Sequence, residues 1–194
     1  NAQSYIIAGS DTTAQTLTYL VLAVCKDSKI KERLSAELFT LPENYTDGTL
    51  KELKYLDAVI KEALRIFAPA PAALPREVPG LGCKIDGYWM PGGATVSTAA
   101  YSMHRDPIIF TDPERFNPSR WEAPTQDMKE AFMAFGAVCL GNHLAEMELR
   151  KSVTKFFRSY PNARVSEGFC DDDMEQMIFF LMFPKKKRCL IELS

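Results

Sequence analysis

Cys139 has the strongest claim to chemistry in this chain. It stands in Phe135-Gly136-Ala137-Val138-Cys139-Leu140-Gly141, directly ahead of an apolar periodicity over residues 144–160 that predicts a long amphipathic helix. The start of a helix leaves amide N–H groups unpaired and carries the positive end of the macrodipole. Both favour an anion, so a cysteine placed there is set up as a thiolate, either a nucleophile or a metal ligand. Zinc shared with His143, four residues on, would need further ligands. The only other histidine is His104, and no second close pair of ligating residues exists.

Two further groups stand out. Ala8-Gly9-Ser10-Asp11-Thr12-Thr13 sets a glycine, an acid and hydroxyls inside a segment, residues 1–25, that otherwise reads as helix. Gly9 to Thr13 are poor helix formers in succession, so the helix is expected to be interrupted there. Conflicts of this kind concentrate at functional sites, and a hydroxyl beside an acid can relay protons. Glu62-Ala63-Leu64-Arg65 pairs an acid and a base one turn apart. The helical wheel puts both in the sector of Lys51, Lys54, Asp57 and Lys61, the pattern of a surface pair contributing about 0.2–0.5 kcal/mol.

Together these groups resemble the cytochrome P-450 haem-thiolate monooxygenases of eukaryotic type. The passage from Phe135 through Cys139 to Leu144-Ala145 is similar to the family's haem-binding segment, which implies Cys139 as the iron ligand and Phe135, Gly136 and Gly141 as parts of its loop. The resemblance implies that Asp11 and Thr12 lie in the oxygen-binding bend of the long helix, where Thr12 would hydrogen-bond dioxygen or its water and Asp11 would relay protons. It implies that Glu62 and Arg65 lock onto Arg120, in Pro118-Ser119-Arg120-Trp121, as a structural clamp behind the haem. Arg76, in Leu74-Pro75-Arg76-Glu77-Val78, looks like the family's arginine for a haem propionate, and His104-Arg105-Asp106-Pro107 matches a scaffold stretch. The implied partners are a small organic substrate and an electron-donating reductase. The implied parent sits at the cytoplasmic face of the endoplasmic-reticulum membrane, through an anchor outside this sequence.

One departure is local. The family places a Gly and then a basic residue between the motif Phe and Cys, the basic residue two before the cysteine, whereas Ala137 stands there. Counted from Phe135 the loop is short by about three residues, removing up to roughly 10 Å of chain. Counted from Phe132 the spacing fits but Phe135 replaces the Gly. The alternative reading is therefore a catalytically inert helical chain that binds no haem.

The elements that must position these residues follow from pattern and punctuation. Asp27-Ser28 caps a helix over 29–39 that Pro42 ends. Thr49-x-x-Glu52 reads as a capping box opening a helix to Phe67, with Leu53, Leu56, Ile60, Ala63, Leu64 and Phe67 on one stripe. Asp86-Gly87 marks a hairpin, joined by a strand over 94–98 into one small sheet. Segments 163–165, 176–183 and 189–193 suggest a second sheet. The expected architecture is mainly α with two small β-sheets, the C-terminal half of the cytochrome P-450 fold, as one partial domain over 1–194. The absent initiator Met and a helical pattern already running at Asn1 lead to the expectation of a fragment.

Composition removes other classes. A net charge of −2 on 194 residues, with no basic stripe, gives no case for nucleic acid. Five irregularly spaced cysteines do not form a secreted disulfide framework. The apolar runs 19–25 and 177–183 are too short to cross a bilayer, and Lys185-Lys186-Lys187-Arg188 reads as a solvated hairpin tip.

Overall fold

Several helix starts in this chain are satisfied by carboxylates and hydroxyls, most of them local and one reaching across from another helix. The computed structural model describes residues 2–136 and 139–193. Helix α1 spans Ala2–Lys26. Helix α2, Ser28–Leu38, begins at Asp27, whose carboxylate accepts from the amides of Lys29 and Ile30 at 3.0 and 3.2 Å. Helix α3, Asp47–Lys51, opens in a capping box between Thr46 and Thr49. Helix α4, Lys54–Ile66, has Leu53 at its N-cap, which offers no side-chain acceptor. Glu37 of α2 supplies one instead, taking the amides of Tyr55 and Leu56 at 2.9 and 2.8 Å. Short α5, Ala100–Met103, and α6, Gln126–Ala131, precede α7, Asn142–Ser159.

The core lies where α1, α2, α4 and α7 meet. Leu20, Leu34, Leu56, Val59, Leu149 and Phe157 are buried there in one cluster, and their removal from water is the main force holding the four helices together. The wall beside them carries small antiparallel pairs. Strand β1, Ala73–Glu77, pairs with β4, Thr95–Ala99. Strands β2, Cys83–Ile85, and β3, Tyr88–Met90, form the hairpin turned by Asp86 and Gly87, both at positive φ. Strands β5, Arg164–Val165, and β8, Ile191–Glu192, pair, as do β6, Gln176–Ile178, and β7, Met182–Pro184.

These observations correct the expected fold class. Among the described residues helices are mixed with four two-stranded sheets rather than two. The strand over 95–99 does not extend the Asp86-Gly87 hairpin; it pairs with β1 in a two-stranded sheet, where Pro75 is accommodated on an edge strand. Residues 176–183 fold back on themselves as the β6–β7 hairpin. Helix α1 also runs unbroken through Gly9 to Thr13. Thr12 Oγ1 donates to Ala8 O at 2.7 Å and Thr16 Oγ1 to Thr12 O at 3.1 Å, so the hydroxyls bond back along the helix instead of breaking it. The capping box lies one turn earlier than expected, at Thr46, with Glu52 ending α3.

Candidate functional site

Among the described residues Glu62 is the most heavily bonded side chain. Its Oε1 accepts from Arg65 Nη2 and the Asn117 amide at 2.9 Å and from Arg120 Nε at 3.0 Å; its Oε2 accepts from Arg65 Nε and Trp121 Nε1 at 2.9 Å. Glu62 and Arg65 are fully buried and Arg120 is 8% exposed. The helical wheel pointed to solvent here because it sees α4 alone. The segment ending in the 3-10 turn Pro118–Trp121 lies over that sector of α4 and closes it from water. The second arginine charge is met by carbonyls: Arg65 Nη1 reaches His104 O at 2.6 Å and Arg120 Nη1 reaches Thr111 O at 3.0 Å.

His104 continues this network. It is fully buried, its Nδ1 lies 2.9 Å from Arg65 O, and its Nε2 accepts from the Met133 amide at 3.0 Å. Burial, and after it the nearby Arg65 and Arg105 charges, push its pKa down to about 4 against the opposing carbonyl bond to Arg65 and the Glu62 charge.

Met133 opens the loop that leads to Cys139. Phe135 is half-buried against the main core. Gly136 has φ +57, and a Cβ there would stand 3.3 Å from Leu74 Cδ1. The loop therefore turns against β1, the strand that also carries Arg76 two residues on. Arg76 is exposed, with Nη1 on the neighbouring Pro75 O at 2.9 Å. Cys139 is an exposed free thiol, and Gly141 is the N-cap of α7, with no side chain to cap the first turn. Ala137, and with it the question of the shortened loop, lies outside the described residues.

The donor set suits a metal that brings its other ligands with it. Among the described residues no three His, Cys, Asp or Glu side chains gather to hold an ion. Cys139 would be the single protein ligand, which is what a haem takes on its thiolate side. Leu140 and Leu144, 80% and 55% exposed, offer apolar surface beside it for a flat macrocycle. The residues present thus fit the group that the resemblance implies.

Asp11 and Thr12 stand apart from this assembly. Asp11 is exposed and Thr12 half-buried, and among the described residues no hydrogen bond or ion pair joins either to the Cys139 loop. Asp11 borders a cavity of about 250 Å³ together with Lys187 and Arg188. The basic run is not a free hairpin tip. Lys185 bridges Asp172 and Glu175 at 2.5 and 2.8 Å, Lys186 meets Asp173 at 2.8 Å, and Arg188 meets Asp173 at 2.6 Å. These partners hold the Asp172 and Asp173 carboxyls below their usual range. The sequence signal was the acidic run Asp171-Asp172-Asp173, matched in sign to the lysines. The bonds that the Asn117 amide and the Trp121 indole make to Glu62 also escaped sequence reasoning.

Comparison with known proteins follows the same outline. The cytochrome P450 family model matches residues 1–190. Cytochrome P450 monooxygenase orf2 of Aspergillus niger is 50% identical over 98% of this chain and 40% of its own length. Cytochrome P450 monooxygenase tazI of Aspergillus terreus is 52% identical over the same shares. A solved structure, retinoic acid bound cyanobacterial CYP120A1, superposes with a TM-score of 0.82 at 28% identity, covering 97% of this chain and 44% of that one. The chain spans about 40% of the length of these curated relatives. No helix among the described residues is long and apolar enough to cross a membrane. The expectation that the resemblance reaches only a C-terminal half of the family fold is corrected by these matches, in which the family model takes in residues 1–190 of this chain. With a family model aligned from residue 1 to residue 190 and relatives half identical along its length, this chain belongs to the cytochrome P450 family.

Proposed function

We propose that this chain serves a haem-dependent monooxygenase that inserts one oxygen atom of dioxygen into a small organic substrate, with electrons from a reductase partner. Haem, when bound, supplies the oxygen activation that side chains lack, and a thiolate ligand favours O–O cleavage. The residues of this chain supply position, charge and protons. Cys139 would hold the metal, Gly136 lets the backbone of its loop turn closely against Leu74, Gly141 opens the helix that follows, and Phe135 anchors the loop to the core. Arg76 offers a guanidinium to a propionate. Thr12 accepts a hydrogen bond from water while its own proton rests on Ala8 O, and Asp11 beside it takes and returns protons. Glu62, Arg65 and Arg120 brace the frame and touch no reacting atom.

The observation that carries this reading is a lone exposed thiol at the N-terminus of an 18-residue helix, with no competing protein ligands gathered around it among the described residues. The resemblance to eukaryotic members of the family implies a parent that works at the cytoplasmic face of the endoplasmic reticulum.

The test is expression with a haem supply, followed by the ferrous carbon monoxide difference spectrum. Wild type and His143→Ala are expected to show the red-shifted thiolate band, and Cys139→Ala to lose it. An unchanged band in Cys139→Ala removes Cys139 as the ligand. A colourless wild type returns the inert reading.

A further inference from the structure

The mechanism above makes no use of His104, yet its ring is hydrogen-bonded both to the charged brace and to the start of the cysteine loop. Its two ring nitrogens have opposite duties. Arg65 O can only accept, so Nδ1 carries the proton and donates to it at 2.9 Å; the Met133 amide can only donate, so Nε2 is the bare acceptor at 3.0 Å. Arg65 Nη1 returns a bond to His104 O at 2.6 Å, so the two residues hold each other in both directions. The ring also stacks on Phe132, 5.6 Å between centroids and 18° between planes. Met133 O then accepts from the Gly136 amide at 2.9 Å, and Cys139 follows three residues later.

We propose that His104 is a positioning residue: as a neutral ring bonded at both nitrogens, it fastens the loop that carries Cys139 to the Glu62–Arg65–Arg120 brace. Its burial and the neighbouring arginine charges keep the ring unprotonated at neutral pH, which preserves the acceptor for Met133. Only the last step, from loop order to the sulfur on haem, rests on the functional reading above.

His104→Phe and His104→Gln separate bonding from packing. Phe keeps the volume and the stack on Phe132 but has no donor or acceptor. Gln loses the ring, but its amide spaces one donor and one acceptor much as imidazole does. In the haem-free chain, NMR hydrogen exchange at the Met133 and Gly136 amides is expected to quicken roughly tenfold in His104→Phe and to stay within about twofold of wild type in His104→Gln. After haem loading, the share of the red-shifted thiolate band is expected to fall in His104→Phe and to be retained in His104→Gln. A purely packing role reverses the order of the two variants and overturns the proposal. Should His104→Phe fail to fold, a Met133 amide that is unprotected in wild type, or loses protection in His104→Gln, overturns it equally. A thiolate band surviving Cys139→Ala would remove the ligand assignment and leave the exchange result standing.

Discussion

The indole N–H of Trp121 donates to Glu62 Oε2 at 2.9 Å. The carboxylate that neutralises buried arginines therefore also anchors the aromatic residue on which the next loop packs, since the Trp121 ring meets Phe132 edge-on at 5.0 Å and Phe110 at 6.2 Å. Charge, indole and ring contacts form one body from α4 to the start of the cysteine loop. Both Glu62 oxygens are satisfied, and the spare arginine N–H groups end on backbone carbonyls, the condition under which a buried ion cluster persists.

Glu62→Ala should cost about 3–5 kcal/mol, because it leaves Arg65 and Arg120 buried beside each other without a counter-charge. Urea unfolding of the 194-residue chain measures this as a lowered midpoint at unchanged slope. Stability equal to wild type would return the pair to the surface role that the helical wheel assigns.

Trp121→Phe should cost less, about 1.5–3 kcal/mol, the range for a hydrogen bond to a charged group, since most of the ring contact survives. Combined with Glu62→Ala its effect should largely vanish, because the acceptor has already gone. Full additivity in that double-mutant cycle would show that the indole N–H does not act through Glu62.

Local signals carried far in this protein, and failures came wherever a distant segment decided the outcome. Asp27, the Asp86-Gly87 turn and the stripe of α4 act within a few residues of themselves, so their elements appear where the pattern puts them. Glu62 is different. Its burial depends on residues 117–121, more than fifty positions away, which no periodicity of α4 can register. The same holds for Glu37 capping α4 and for β4 choosing β1 over the nearer hairpin. Gly9 to Thr13 misled for the opposite reason: low propensity predicts a break only where tertiary packing or hydroxyl back-bonding does not carry the helix through. Among the site residues, the sequence placed Cys139 at a helix start, while the coupling of its loop to His104 needed the three-dimensional arrangement.

Gly136→Ala and Gly141→Ala should differ, although both glycines flank Cys139. At Gly136 an L side chain would sit at φ +57 with its Cβ 3.3 Å from Leu74 Cδ1. The backbone alone costs about 1–2 kcal/mol there. Gly141 has φ −94 and nothing within 4 Å, so alanine loses only a modest N-cap preference, roughly 0.5 kcal/mol. Thermal unfolding of the two variants tests the order. Equal losses would show that the cysteine loop relaxes without needing the left-handed turn.

His104 should make stability depend on pH in a window set by its own protonation. Its pKa in the folded chain is about 4, below the ordinary 6.5, because burial and then Arg65 and Arg105 disfavour the charged ring, with Glu62 and the Arg65 carbonyl opposing. Between those values the unfolded chain binds a proton that the folded chain refuses. Stability is therefore complete above about pH 6.5 and falls as the pH drops towards 4, by about 3 kcal/mol in all. Asp47, held below its usual range by Arg150, loses its contribution at lower pH and does not confuse the window. Urea midpoints taken from about pH 7.5 down to 4.5 should slope in wild type and be nearly flat in His104→Gln, which binds no proton there. Matching slopes in the two proteins would show that another group titrates, and that the imidazole between Arg65 and Met133 is not the proton acceptor that acid must fill.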